Sequence, residues 1–110
     1  MTPRLKAGIF VRALIRRAEV AGAAAYVVKK GTEESGAVVI TLTNPGVSSV
    51  LLEQARRGDG EMVWVKPLGD APDQDKIRAW LAKQQKYDPD LWIVEIEDRQ
   101  ARFFVDEPIV

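Results

Sequence analysis

The chain has 110 residues, 46% of them apolar, with 16 lysines and arginines balancing 16 aspartates and glutamates, and it contains neither histidine nor cysteine. That length suits one globular domain, residues 1–110, built on a single core. Without imidazole or thiol, Ser-His-Asp and Cys-His catalysis, Cys/His zinc sites and disulfides are excluded, and zero net charge supplies no global field toward nucleic acid or an anionic membrane.

From Gly8 to Ala21 the spacing predicts a helix, because Phe10, Val11, Leu14, Ile15, Ala18 and Ala21 fall on one arc and Gly22 is a natural stop. Its opposite side mixes Arg12, Arg16 and Glu19 with Ile9, Ala13 and Val20, which predicts contact on a second face. Arg12, Arg16 and Arg17 interrupt any signal-peptide core, and the uncharged run 20–28 is too short to span a bilayer. The expectation is a soluble, cytoplasmic protein with no membrane partner, a compartment that the missing cysteines fit.

Four β-type runs follow: Ala25–Lys30, Ala37–Thr43, Val47–Ala55 and Glu61–Lys66. They are divided by a polar loop at 31–36, by Asn44-Pro45-Gly46 and by Arg56-Arg57-Gly58-Asp59-Gly60, and so read as an antiparallel meander. Asp70 or Asp73 then caps a second helix reaching about Tyr87, with Ile77, Trp80, Leu81, Gln84 and Tyr87 at helical spacing. Asp88-Pro89-Asp90 stops it. Leu91–Glu97 alternates as a strand, and Arg102–Val105 reads as a short edge strand. The predicted class is α+β: a mainly antiparallel sheet of five to six strands, in the order α-β-β-β-β-α-β-β, with two helices packed on one face. The other face would show Lys29, Thr41, Thr43, Glu53, Glu95 and Glu97 or their neighbours.

The segment Lys86-Tyr87-Asp88-Pro89-Asp90-Leu91-Trp92-Ile93-Val94-Glu95-Ile96-Glu97-Asp98, with Arg4-Leu5-Lys6-Ala7-Gly8-Ile9-Phe10-Val11-Arg12-Ala13-Leu14, resembles a family of small bacterial proteins known as domain of unknown function 1491. The similarity runs from the first helix to the last strand. It implies a small single-domain bacterial protein and brings no reaction, ligand, cofactor or catalytic residue with it.

Glu95 and Glu97 lie two apart on a strand and project from one face, with Asp88 and Asp90 just before it; carboxylates of this kind suit Mg²⁺. A nuclease-like acidic strand would need lysine at position 97, which is glutamate here. The competing reading makes Asp88 and Asp90 a turn and the glutamates a solvated face, and it is preferred because acidic residues are mostly exposed. Arg4, Lys6, Arg12, Arg16 and Arg17, joined by Lys29 and Lys30, are the basic candidates, but the helix repeat scatters them and no aromatic platform interleaves, which disfavours nucleic acid. Trp80 and Trp92 read as core, and Trp64 could face either side.

The preferred functional reading is a non-enzymatic protein-interaction module or accessory subunit, with a protein partner or a second copy as the ligand and no small molecule or cofactor inferred. Its expected surface is Ile9, Arg12, Ala13, Arg16 and Val20 on the outer side of the first helix, with Leu91 and Ile93 on the back of the fifth strand. The alternative is a Mg²⁺-dependent hydrolase or nucleotide-handling enzyme using Asp88, Asp90, Glu95 and Glu97.

Overall fold

A computed structural model of the chain describes residues 6–110. In chain order it has α1 (Ala7–Val20), β1 (Ala24–Lys29), β2 (Val38–Asn44), β3 (Ser48–Arg56), β4 (Met62–Val65), α2 (Gln74–Tyr87) and β5 (Trp92–Glu97). This is the expected α+β class: two helices and one sheet whose strand pairs are antiparallel except one. Asp73, not Asp70, caps α2, accepting a hydrogen bond from the Lys76 amide at 2.8 Å.

The meander holds only for β2, β3 and β4. The sheet order is β1-β5-β2-β3-β4, so the last strand enters between the first two, antiparallel to β1 and parallel to β2. The reason lies in which strands are apolar on both faces. β5 buries Trp92, Val94 and Ile96 on one side and Ile93 on the other, while β2 buries Val38, Val39, Ile40, Thr41 and Leu42 in succession. Strands of that kind belong in the middle of a covered sheet. β1, mostly exposed, is left at the edge.

Double-sided burial also corrects the placement of the helices, which lie on opposite faces. α1 packs Phe10, Val11, Leu14 and Ala18 against Val38, Ile40, Leu42, Leu52, Trp64, Trp92, Val94 and Ile96. α2 brings Ile77, with Trp80 and Leu81, onto Val39, Leu51, Leu91 and Ile93. With apolar residues at consecutive positions of β2 and β5, one helical layer cannot remove both sets from water.

Arg102–Val105 is not a strand. After β5 the chain forms an irregular strap in which Phe103, Phe104 and Val105 pack against the α1-side core. Ala101 and Phe104 sit at φ 55° and 60°, a left-handed conformation uncommon for residues with a Cβ. Arg17 donates to the Phe104 carbonyl at 3.0 Å and helps to hold the strap there. The strap ends beside β4: the Trp64 amide donates to the Pro108 carbonyl at 2.8 Å and the Val110 amide to the Trp64 carbonyl at 2.9 Å. Among the described residues, no helix is long and apolar enough to cross a membrane.

Candidate functional site

The loop between β1 and β2 explains the most distinctive string of the sequence. The Thr32 amide donates to the Asp90 carbonyl at 3.0 Å, the Trp92 indole donates to the Thr32 carbonyl at 2.8 Å, and the Trp92 amide donates to the Ala37 carbonyl at 2.8 Å. Lys29 Nζ donates to the Pro89 and Leu91 carbonyls at 2.6 and 3.0 Å. Gly31 and Gly36 touch this turn so closely that a Cβ on either would collide with the Asp90 carbonyl oxygen. The same loop caps α1, whose first turn has no side-chain cap: the Gly8 amide donates to the Glu33 carbonyl at 2.8 Å. Asp88-Pro89-Asp90-Leu91-Trp92 is therefore a structural clasp.

That clasp separates the four carboxylates of the metal reading. Asp88 accepts from the Asp90 amide at 3.1 Å in the turn before β5, and Glu97 lies at the far end of that strand, about 17 Å from its start at about 3.3 Å per residue. Among the described residues no group of three or more acidic side chains is placed to hold a metal ion. Glu95 and Glu97 do share a face, and Tyr26 of β1 joins them: its hydroxyl donates to Glu97 Oε1 at 2.7 Å. This hydrogen bond is the main reason that the Tyr26 phenol is pushed up to about 12. Burial, then the charge of Glu97, raises the Glu95 carboxyl above its ordinary value, against the Tyr26 hydroxyl, which lowers it.

Thr41 and Thr43 lie beside Glu95 and Glu97 in register, and Ser49 lies opposite Thr43 on β3. Gln74 of α2 donates to the Ser49 hydroxyl at 2.6 Å. An open depression of about 330 Å³ begins at Thr43 and Ser49 and runs between the β2–β3 turn and the start of α2. Half of the α2-side face is thus polar. It holds carboxylates, hydroxyls and a phenol, with the Tyr26 hydroxyl directed at the Glu97 carboxylate.

The outer stripe of α1 is exposed at Ile9, Arg12, Arg16 and Val20 and half-buried at Ala13. Leu91 and Ile93, expected on an open back face, are instead 4% and 1% exposed beneath α2. Of the basic residues, Lys6 pairs with Glu34, Arg12 donates to Glu33 at 2.6 Å, and Arg17 and Lys29 serve backbone carbonyls; Arg4 lies outside the described residues. Trp64 and Trp92 are core, and Trp80 is partly buried against the α2-side core.

The feature that pattern reading missed is the free edge of β1. Among the described residues, Tyr26, Val27 and Val28 are 42%, 41% and 58% exposed on a strand paired only with β5, whereas the strap lies along β4 at Trp64. The signal was present: Ala23-Ala24-Ala25-Tyr26-Val27-Val28 lacks the alternation of a half-buried strand.

A family model described as "Protein of unknown function (DUF1491)" matches residues 5–106. The crystal structure of a DUF1491 family protein from Caulobacter crescentus CB15 is 40% identical, covering 97% of this chain and 100% of that one, with a TM-score of 0.90. An NMR structure of a DUF1491 family protein from the same organism is 39% identical over 99% of each chain, also with a TM-score of 0.90. The solution structure of a protein from A. tumefaciens is 30% identical over 96% of this chain and 97% of that one, with a TM-score of 0.77. No curated protein matches the chain.

Proposed function

The chain belongs to the DUF1491 family, and on that premise we propose that it is a cytoplasmic, non-enzymatic interaction module that takes up a partner strand along β1. The observation that carries this reading is the asymmetry of the sheet edges. At β4 the strap occupies the Trp64 amide and carbonyl; at β1, among the described residues, no strand lies on the outer side, beside exposed Tyr26, Val27 and Val28. An edge of this kind is a template for a further strand. The outer stripe of α1 supports the reading less well, because Arg12 and Arg16 interrupt the apolar line from Ile9 to Val20.

Photo-crosslinking in the bacterial cell tests it. A benzophenone-bearing residue placed at Val28 is expected to give discrete protein adducts, while the same residue at exposed Tyr87 on α2 gives none. Adducts from Ile9 in place of Val28 would move the surface to α1, and equal labelling from all three positions would remove the case for a docking edge.

A further inference from the structure

Resting on that reading of β1, we infer that the strand added to this edge is β1 of a second copy, antiparallel, with the two Tyr26 residues facing each other across a two-fold axis. Two gradients along the strand point to a copy of itself. The first is size. Residues 23–25 are all alanine and residues 26–28 are Tyr, Val and Val. In an antiparallel pair centred on Tyr26, Ala25 of one copy faces Val27 of the other, so on either side of the axis a bulky side chain meets a small one. Directly opposed side chains lie about 4.5–5.5 Å apart at Cβ, where such filling counts.

The second gradient is charge. β1 ends in Lys29 and Lys30, whereas its beginning borders the acidic end of β5, with Ala24 beside Glu97 and Tyr26 beside Glu95. In that register Lys29 of one copy falls opposite Ala23 of the other and Lys30 opposite Gly22, at the end of β1 that borders Glu97, and the two-fold axis makes that contact twice. Lys29 is held by the Pro89 and Leu91 carbonyls, which leaves exposed Lys30 as the cation offered to the other copy. A parallel copy would set lysine against lysine. The isologous, antiparallel arrangement is the one that satisfies both gradients.

The pairing is short. The register of β1 on β5 shifts between Val27 and Lys29, and such a bulge ends regular pairing and twists an edge away from partners. Regular contact is therefore confined to Ala24–Val27, well below the surface that a permanent dimer buries. The expected dimer is weak, with a dissociation constant of about 1 µM or above.

Light scattering after size exclusion, from about 10 µM to about 1 mM, reads this directly. Wild-type mass is expected to climb from one chain toward two. The variant with Val27→Lys and Val28→Lys should stay at one chain with an unchanged circular dichroism spectrum and melting temperature. Glu97→Lys should weaken association about tenfold or more, and Lys30→Glu in that background should restore it, which loss of packing alone would not do. A wild type that stays at one chain throughout overturns the inference; if Val28 then crosslinks to a different protein, only the identity of the partner was wrong. A dimer that persists in the Val27→Lys, Val28→Lys variant places the contact elsewhere, and with no adduct at Val28 it overturns the docking edge as well.

Discussion

Asp98 shows how much one side chain contributes here. It is buried at the end of β5 and accepts from the Arg102 guanidinium at 2.9 and 3.1 Å and from the Arg102 amide at 2.9 Å. Arg102 in turn reaches the Ala21 carbonyl at 3.0 Å, tying the start of the strap to the end of α1. The guanidinium holds the Asp98 carboxyl far below the usual carboxylate range, even against burial. A depressed folded value gives stability that is fully present above the unfolded value, about 3.9, and lost as the pH falls below it. Glu95 has the opposite sign. Its folded value is raised, so the folded chain binds a proton more readily, and stability grows as the pH falls through that value toward about 4.3; Glu53, raised by burial, adds to this. The melting temperature should therefore rise on going from pH 7 toward 5 and drop below about pH 4. Glu95→Gln should reduce the rise. Asp98→Asn should lower the melting temperature at pH 7 and flatten the acid limb. A steady decline of the wild type from pH 7 to 5 would contradict the assigned sign for Glu95 and Glu53.

Between elements, the loop from Lys30 to Ala37 connects three things at once: the start of α1, the crossing into β2 and the turn into β5. Its two glycines are there for space, since a Cβ at Gly31 or Gly36 meets the backbone of Asp90 and the Trp92 ring. Gly31→Ala and Gly36→Ala are each expected to destabilise the fold by about 1–3 kcal/mol in denaturant titrations, the usual penalty for overpacking. Gly58→Ala, facing open space without a positive φ, should be nearly neutral. A neutral Gly31→Ala would mean that the clasp yields easily. The same loop marks where sequence reading stops. Local pattern is enough for the two helices and five strands, though not to tell the Arg102–Val105 strap from a sixth strand, because period 3.6 in α1 and α2 and alternation in β5 are properties of contiguous residues. It is blind to the insertion of β5 between β1 and β2, which depends on contacts such as Thr32 with Asp90, 58 residues apart in number. The acidic string has the same history. Local pattern places Glu95 and Glu97 on one strand face and makes Asp88 and Asp90 a turn, but it cannot show that the β1–β2 loop clasps this turn or that Tyr26 joins the glutamates.

At the scale of the whole molecule, the sheet has two ends that are treated differently. Five strands in an open sheet leave two rows of unpaired backbone groups, and each row can recruit another chain. At β4 the protein closes the row itself. The strap crosses the α1-side core, places Phe103–Val105 there, and brings Pro108 and Val110 onto the Trp64 backbone while Glu107 accepts the Trp64 indole hydrogen at 2.9 Å. At β1, among the described residues, the row stays open, and the bulge limits what pairs with it. If strap closure is what keeps β4 from pairing, a chain ending at Asp106 should gain a second usable edge. Two edges on one protomer permit open growth through alternating β1–β1 and β4–β4 contacts, where one edge permits only a closed pair. The shortened chain is therefore expected to keep its circular dichroism spectrum but to form higher oligomers as concentration rises, measured by light scattering at the concentrations where the full chain stops at two copies. Val27→Lys with Val28→Lys in the shortened chain should cut this growth back to pairs joined through β4. Should the shortened chain behave as the full one does, the strap is needed for packing Trp64 and not for guarding the edge, and the contrast between the two ends of the sheet would no longer single out β1.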